Sequence, residues 1–508
     1  MKKRYALSAA LIAGLLCFGC SSADSGTIQI ALSNESVTIG DKAVQTLTEG
    51  SSRAVYLSSI VETHEDVAAE YKDTENTVIH ITKAGDYEFT GTMDNVQIRV
   101  NAPEQEVNLI LNGVELNNNT APAISIENAA DSKTAGEAGA RITLAEGSTN
   151  IINGSHVAEY TDENGVEIDN DGAISSNVSL LIDGTGTLQV TGDKEGIESK
   201  MHLTINGGTI QIASSDDALN ASEDGVSTIT INDGIINCAI ANGSEGDGID
   251  SNGYIYVNGG FVVAQAHSSS QDSGLDADLG IIINGGTVCA TGNMYEEISD
   301  ESAQQHAQFY FAEKQKGNVP MVITDTDGNY VLAYTPVNDF SILEFSSADL
   351  ADGQTYYLYS GGNLTGSVTN GIYTEVESYT GGIQLAHRGI MQGGGRPQMP
   401  AGEMPEGFDP SQMQRPEGQN PPERPEGNQR PQGQIPENFD PSRIPEGFDP
   451  ENMPAPPEGF DPSQMQGGFP GGFGGSFDKN APQSVEFVVN AESRVYHGIA
   501  PYTGTETE

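Results

Sequence analysis

The chain has 508 residues, including 61 glycines and 24 prolines, and its 72 acidic against 22 basic side chains give a formal charge of −50. Nucleic acid is therefore a poor partner, because binding to a phosphate backbone needs a basic surface. A surface this acidic favours solubility, the binding of divalent cations, or both.

The N-terminus has the pattern of a secretory signal. The basic Lys2–Arg4 precede an apolar stretch, Leu7–Phe18, that is too short to span a bilayer. The following Gly19–Ser21 resembles a bacterial lipoprotein cleavage site. We expect residues 1–20 to be a lipoprotein signal peptide, with Cys20 lipidated and the protein anchored on the extracellular face of the cell membrane. Ordinary signal cleavage a few residues later is the alternative, since two positions before Cys20 depart from the lipoprotein pattern.

The next part of the chain changes from a polar stretch to a repeat. Residues 21–75 begin rich in Ser and Thr, and we predict a polar spacer and an N-terminal cap there. Further along, four β-branched runs end in Asn-Gly-Gly or Asn-Asp-Gly. Their anchor residues recur every 26 positions, at Ile205, Ile231, Val257 and Ile283. A fixed period of this length indicates stacked coils.

Each coil contains three short apolar runs. The first is the Asn-Gly run, the second follows its glycines, and the third is a small residue followed by Ile or Leu, as in Gly248 and Ile249. Three strands in about 22–26 residues are typical of a parallel β-helix. We therefore predict an all-β fold with a parallel β-helix (solenoid) over residues 76–292.

The C-terminal part follows a different pattern. An Asp-Gly turn within Val322–Tyr334 predicts a hairpin, and we predict an antiparallel β module over residues 293–385 plus 484–500. Residues 386–483 form a Pro/Gly/Met-rich acidic insert that cannot bury an apolar core, and we predict it to be disordered. A helical period is possible only at Glu296–Gln308.

The third run of each coil is flanked by side chains that carry oxygen. Alignment of the coils gives one column with Glu195, Asp217, Asp247 and Ser273, and a second with Glu198, Asn220, Asp250 and Asp276. Stacked strands place column members about 4.8 Å apart, so the carboxylates repel one another. The coils supply only Lys194 and Lys200 as nearby cations.

A hard divalent cation would relieve this repulsion. Ca²⁺ takes about six to eight oxygen ligands from carboxylates, amides and carbonyls. We predict Ca²⁺ as a cofactor, with ligands drawn from Glu195, Glu198, Asp216, Asp217, Asn220, Asp247, Asp250, Asp272 and Asp276. The alternative is a solvated acidic ladder without metal.

Two further patterns argue for structure and against catalysis. The column Asn206, Asn232, Asn258 and Asn284 is predicted to be structural, because stacked asparagines bond one another along a solenoid. A polysaccharide lyase would need a cationic base, usually Arg, and the regular coils contain no Arg. Lys194 or Lys200 could substitute, but both lie in turn-like contexts and we predict that they are surface charges. A hydrolase would need paired carboxylates about 5–9.5 Å apart, and no organised His or Arg accompanies such a pair. We predict that the protein is not an enzyme.

Several strings resemble bacterial carbohydrate-binding β-helix lipoproteins, namely DGAISSNVSLLIDGTGTLQVTG (171–192), GIESKMHLTINGGTIQI (196–212) and GDGIDSNGYIYVNGG (246–260). The strings SAQQHAQFYF (302–311) and TYYLYSGG (355–362) resemble the C-terminal module of that family. The resemblance implies a right-handed, pectate-lyase-like β-helix that binds acidic or cellulosic polysaccharide with calcium. Asp217, Asp247 and Asp250 match the family pattern best.

The leading hypothesis is therefore calcium-dependent, non-catalytic binding of pectin-like or cellulosic polysaccharide at the bacterial cell surface. Carboxylates of a polyuronate would complete the coordination of protein-held calcium. Tyr254, Tyr256 and Phe261 are candidate stacking faces for sugar rings. The alternatives are a lyase or hydrolase acting on polyuronates, and a structural surface adhesin, which the repeated PEGFDP strings favour.

Overall fold

The computed structural model describes residues 26–40, 42–44, 53–64, 66–130, 134, 136–161, 167–240, 245–391 and 481–503. These residues form an all-β fold with parallel and antiparallel strand pairs, and no helix occurs among them. Accordingly, this part of the chain contains no helix that could cross a membrane. Residues 1–20, Cys20 and most of the predicted insert lie outside the described residues.

The strands of the described residues run from β1 to β39 in chain order. Up to residue 128 they are β1 (Ile28–Ser33), β2 (Ser36–Ile39), β3 (Lys42–Val44), β4 (Val55–Val61), β5 (Glu75–Ile81), β6 (Gly85–Asp94), β7 (Val96–Asn101), β8 (Val107–Asn117) and β9 (Ile124–Asn128). Up to residue 221 they are β10 (Ala140–Leu144), β11 (Thr149–Gly154), β12 (Val157–Thr161), β13 (Glu167–Asn170), β14 (Gly172–Ser176), β15 (Leu180–Gly184), β16 (Thr187–Gly192), β17 (Glu195–Ser199), β18 (His202–Ile205), β19 (Thr209–Ser214) and β20 (Leu219–Ala221).

The remaining strands fall into two groups. Up to residue 292 they are β21 (Thr228–Ile231), β22 (Ile235–Ile240), β23 (Ile249–Ser251), β24 (Tyr254–Val257), β25 (Phe261–Gln265), β26 (Leu275–Ala277), β27 (Gly280–Ile283) and β28 (Thr287–Gly292). Beyond that they are β29 (His306–Gln315), β30 (Met321–Asp325), β31 (Tyr330–Tyr334), β32 (Phe340–Ser346), β33 (Gln354–Ser360), β34 (Asn363–Thr369), β35 (Ile372–Thr380), β36 (Ile383–Ala386), β37 (Gly389–Met391), β38 (Phe487–Val489) and β39 (Val495–Pro501).

Three ladders of parallel strands run through the repeat region, and the chain visits them in turn. The first ladder is β6, β8, β10, β15, β18, β21, β24 and β27. The second is β8, β11, β16, β19, β22, β25 and β28. The third is β5, β7, β9, β14, β17, β20, β23 and β26. We call one passage through the three ladders a coil.

The register confirms the 26-residue period. Ile205 pairs with Ile231, Ile231 with Val257, and Val257 with Ile283, and all four are fully buried in one apolar core. The turn requires a glycine three positions after each anchor. Gly260 has a φ of +82°, and a Cβ atom there would lie 2.8 Å from the carbonyl oxygen of Gly234 in the preceding coil.

Residues 21–75, predicted as a polar spacer and an N-terminal cap, contain strands that pack on the coils. β1 pairs in parallel with β6, and β4 pairs antiparallel with β5. Ile30 and Leu32 join the core of the coils. The alternation in β1 is only six residues long within a polar stretch, so its apolar face becomes evident only once β6 lies beside it.

The C-terminal strands surround a second core, and most of their pairs are antiparallel. β28 pairs with β32, and β30 pairs with β31 and β33. The strands after the insert return to this part. β38 pairs antiparallel with β33, and β39 pairs antiparallel with β36 and β37. The pair of β39 with β29 is parallel and departs from the predicted antiparallel module. The possible helix at 296–308 is wrong, since Ile298 is buried in a bridge to Ile281 and β29 begins at His306.

Candidate functional site

The third ladder places the second predicted column in register. Glu198 pairs with Asn220, Asn220 with Asp250, and Asp250 with Asp276. The apolar residue that precedes each of them is fully buried, namely Ile197, Leu219, Ile249 and Leu275. Because side chains alternate along a strand, the buried residue turns the following polar side chain outward. The alternation therefore creates a polar stripe along the outside of this ladder.

The first predicted column runs beside that stripe. Backbone amides connect it, because Gly196 donates to the carbonyl of Asp217, Ala218 to that of Asp247, and Gly248 to that of Ser273. The coils approach closely here. A Cβ atom on Gly248 would lie 2.6 Å from the carbonyl oxygen of Gly274, so glycine is needed for the stacking that brings these carboxylates together.

The two columns converge on three aspartates. Asp247, Asp250 and Asp276 each offer a carboxylate oxygen, and these oxygens lie within 4.8 Å of one another. All three residues are half-buried. None of them takes part in an ion pair with any cationic side chain of the described residues. Three negative charges therefore share a small, partly desolvated space.

The pKa values of these acids reflect that crowding. Burial, followed by the charges of neighbouring carboxylates, raises the pKa of Asp250 to about 7. The same causes, in the same order, raise the pKa values of Asp217, Asp247 and Asp276. Burial also raises the pKa of Glu195, with Glu198 the first of the charges that add to it. Each raised pKa means that too little positive charge or hydrogen bonding compensates for the burial of the ionised carboxylate.

Two oxygen atoms near the columns are buried without a hydrogen-bond partner. Glu195 is 5% exposed, and its Oε1 accepts a bond of 2.7 Å from the Asn220 side-chain amide, whereas its Oε2 accepts none. Asn220 Oδ1 is likewise without a partner. Buried oxygens are normally satisfied, so both atoms are available to a cation.

Cationic side chains already lie at the end of the stripe that contains Glu198. Lys200 forms an ion pair with the buried Glu198 and lies 3.6 Å from Asp169. Lys194 forms an ion pair with Asp171. The sequence had indicated that both lysines are surface charges; for Lys200 this is wrong, because its ammonium group neutralises a carboxylate that is 1% exposed. A lysine thus neutralises the charge of Glu198, whereas no ion pair among the described residues neutralises Asp247, Asp250 or Asp276.

The remaining predicted ligands lie at the margin. Asp272 Oδ2 accepts a hydrogen bond of 2.6 Å from the backbone amide of Gly246. The pKa of Asp216 is raised by burial and lowered by the nearby Lys194. Neither residue belongs to the group of three oxygens formed by Asp247, Asp250 and Asp276.

The predicted stacking residues separate into two places. Tyr254 and Tyr256 lie on β24, with ring centroids 5.7 Å apart, and Tyr254 is 36% exposed. Phe261 lies on β25 and packs against the C-terminal core instead. Only the tyrosine pair remains available as a sugar-stacking surface on the coils.

The asparagine column is confirmed as a hydrogen-bonded ladder. Asn232 donates to Asn206, Asn258 to Asn232 and Asn284 to Asn258, over 2.8, 2.8 and 2.9 Å. Cys238 and Cys289 are both buried and free. They belong to different cores, since Cys238 faces the inside of the coils and Cys289 the C-terminal module.

Sequence reasoning missed two acids beside the triad. Glu296 hydrogen-bonds to Asp276, and Glu344 is fully buried, which raises its pKa to about 8. Glu344 Oε1 accepts a bond of 2.7 Å from Gln308, while its Oε2 has no partner. The sequence feature that could have identified Glu344 is its position as the one acidic residue of the largely apolar strand Phe340–Ser346.

The chain is similar to known proteins over about half of its length. A family described as carbohydrate-binding domain-containing protein matches residues 74–338. Among solved structures, the gadolinium derivative of the polysaccharide lyase-like protein from C. thermocellum is similar at 23% sequence identity and a TM-score of 0.34, over 52% of this chain and 93% of that chain. No curated protein matches the chain.

Proposed function

Because the chain belongs to the family of carbohydrate-binding domain-containing proteins, we propose that it binds polysaccharide without cleaving it, through calcium held by the acidic side chains of the third ladder. We further propose that the three ladders wrap into a right-handed parallel β-helix. Lipidation of Cys20 would hold this helix on the outer surface of a bacterial membrane.

The convergence of Asp247, Asp250 and Asp276 carries the proposal. Their oxygens lie within 4.8 Å of one another, and burial and mutual repulsion raise their pKa values. A divalent cation supplies the missing positive charge, and calcium prefers carboxylate and amide oxygens of this kind. The unpartnered Glu195 Oε2 and Asn220 Oδ1 add neutral or acidic oxygens on the same ladder.

The ladder also suits a linear polymer. The acidic side chains repeat from coil to coil along the stacking direction, as do the sugars of a polysaccharide. Bound calcium would supply coordination positions that carboxylates of a uronate chain complete, which allows a protein with a charge of −50 to bind a polyanion. Tyr254 and Tyr256 offer rings on a neighbouring ladder.

The lysines argue against a lyase. A lyase needs a base that is deprotonated at working pH, and the only lysines of the regular coils are Lys194 and Lys200. Ion pairs with Asp171 and Glu198 raise the pKa values of both lysines despite their burial. Both therefore stay protonated, and no arginine lies between residues 142 and 387.

A pull-down on insoluble polygalacturonate tests the proposal. We expect retention with calcium, release by a chelator, and no release of uronate products. Asp250→Ala should abolish retention, while Asn258→Ala, the matched change in the asparagine column, should not. Retention that survives the chelator would contradict the calcium mechanism, and product formation would establish an enzyme. A parent protein that binds no polysaccharide would favour the surface adhesin.

A further inference from the structure

The outer face of the C-terminal sheet carries a group of tyrosines far along the chain from the acidic columns. Tyr357 and Tyr359 alternate on β33 with the buried Tyr356 and Leu358, which face the second core. The register sets Thr324 of β30 between two of the outward rings, because it pairs with Tyr357 on one side and with Tyr330 on the other. Three tyrosines of two strands thus share one face.

A fourth tyrosine, Tyr379 of the hairpin β34–β35, joins this group. The ring of Tyr379 lies 6.4 Å from that of Tyr359, in an edge-to-face arrangement. Its hydroxyl donates a hydrogen bond of 3.0 Å to the carbonyl of Gly361. A Cβ atom on Gly382 would lie 1.9 Å from this hydroxyl, so the glycine leaves the space that the ring occupies. We call Tyr330, Tyr357, Tyr359 and Tyr379 the tyrosine face.

The tyrosine face packs on buried residues of its own sheet, and its rings are partly exposed to solvent. Val322 pairs with Tyr359 and with Ala333, and both small residues are buried although neither belongs to the second core. Side chains on the outer side must therefore cover them. The four tyrosines themselves are half-buried. Rings fixed in this way lose little conformational entropy when a ligand stacks on them.

We propose that the tyrosine face is a second sugar-binding surface, which takes an uncharged polysaccharide and needs no metal. Half-exposed rings with a hydroxyl at one end suit a sugar, because the ring stacks on its C–H face and the hydroxyl bonds to its OH groups. The polar neighbours in register, Thr324 and Gln384, are uncharged, which favours a neutral polymer over a polyanion.

The proposal uses the carbohydrate-binding character of the family but not the calcium site. Tyr357, Tyr359 and Tyr379 lie outside the residues that match the family, 74–338. The two surfaces differ in chemistry, since the acidic columns need a cation to hold a polyanion and the tyrosine face does not. The two proposals can therefore fail independently.

Retention on insoluble cellulose in the presence of EDTA tests the tyrosine face. We expect the parent protein to be retained, and Tyr357→Ala/Tyr359→Ala to bind about tenfold or more weakly, because two stacking contacts are lost. Tyr359→Phe keeps the ring and should bind almost as the parent does. Tyr71→Ala, a half-buried tyrosine of the N-terminal segment, is the control and should bind unchanged.

Polygalacturonate separates the two sites. With calcium present, the double tyrosine variant should be retained on polygalacturonate as the parent is, which also shows that it is folded. Asp250→Ala should still bind cellulose in EDTA. A parent protein that does not bind cellulose in EDTA would overturn the proposal. So would a double variant that binds cellulose as tightly as the parent, or one that unfolds while Tyr359→Phe loses binding.

Discussion

Oδ1 of Asp217 accepts a hydrogen bond of 2.7 Å from the backbone amide of Asp247, the next member of its column. The contact is repeated one coil further, where Asp247 accepts a bond from the backbone amide of Ser273. The backbone of each coil thus fixes the carboxylate of the coil before it. Since strand stacking holds the acids in place against their repulsion, the folded protein stores an unfavourable charge arrangement that a cation can relieve.

Calcium should raise the melting temperature. The carboxylates of Asp247, Asp250 and Asp276 come together only in the folded chain, so calcium binds the folded state in preference to the unfolded one. At about 100 times its dissociation constant, the ligand adds roughly 2.7 kcal/mol to the free energy of unfolding. Differential scanning calorimetry with calcium and with a chelator measures the shift, and an unmoved transition would count against the site.

Without calcium, stability should fall as the pH rises from about 6.5 to 8. The pKa of Asp250 is raised to about 7, so the folded state holds a proton that the unfolded state has lost, and its contribution disappears as the pH passes through that value. His306, whose pKa is lowered to about 4, acts in the opposite direction but only below its unfolded value of about 6.5. Urea unfolding in EDTA measures the slope.

Two controls attribute that slope to the acidic columns. Asp250→Asn removes the titrating group and should flatten the pH dependence in EDTA. Saturating calcium should do the same in the parent protein, because a bound cation favours the charged carboxylates. A slope that neither change alters would assign the effect to Glu344, whose pKa is raised to about 8.

Asp247→Ala and Asp250→Ala should each weaken calcium binding by about tenfold or more, because each removes one of three converging carboxylates. Asn258→Ala removes two hydrogen bonds of the ladder, one of 2.8 Å to Asn232 and one of 2.9 Å from Asn284. It should cost about 1–2 kcal/mol of stability while leaving calcium affinity unchanged. Isothermal titration calorimetry and urea unfolding distinguish the two effects. Loss of calcium affinity in Asn258→Ala would reverse the structural role of the asparagine column.

Lys200→Met should destabilise the fold by about 3 kcal/mol, because it strands the buried carboxylate of Glu198. Lys316→Met is the matched control, since its ion pair with Asp339 is solvent-exposed and should contribute about 0–1 kcal/mol. Adding Glu198→Gln to Lys200→Met should restore much of the loss in urea unfolding. Equal effects of the two lysine substitutions would show that the Lys200 pair is no stronger than a surface contact.

Replacing residues 397–475 by a short Gly/Ser bridge should leave the fold and polysaccharide binding intact. The described residues on either side already meet, because His387 bridges to Ser484 and Arg388 donates a bond of 2.7 Å to the carbonyl of Ala481. Loop length changes closure entropy only slowly, so stability should change by about 1–2 kcal/mol at most. Calorimetry and the polygalacturonate pull-down check both points. Aggregation of the shortened protein would contradict the prediction.

The repeat was predictable because its signal is local. Alternation along each strand separates inward from outward residues, and the 26-residue spacing of Ile205 and Ile231 fixes which residues stack. The sequence alone therefore determined the all-β class, the asparagine ladder and the acidic columns of the third ladder. The family resemblance then pointed to carbohydrate.

The tertiary structure decided which outward side chains share a space. The pairing of Lys200 with Glu198, the approach of Glu296 to Asp276 and the separation of Phe261 from Tyr254 all depend on contacts between segments that no period connects. The tyrosine face likewise exists only once β33 lies beside β30 and Tyr379 folds over from the hairpin. Periodicity predicts the face of the sheet on which a side chain lies, because the backbone of its own strand determines that face. The neighbours of the side chain depend on the packing of strands that are distant in the sequence, which periodicity does not describe.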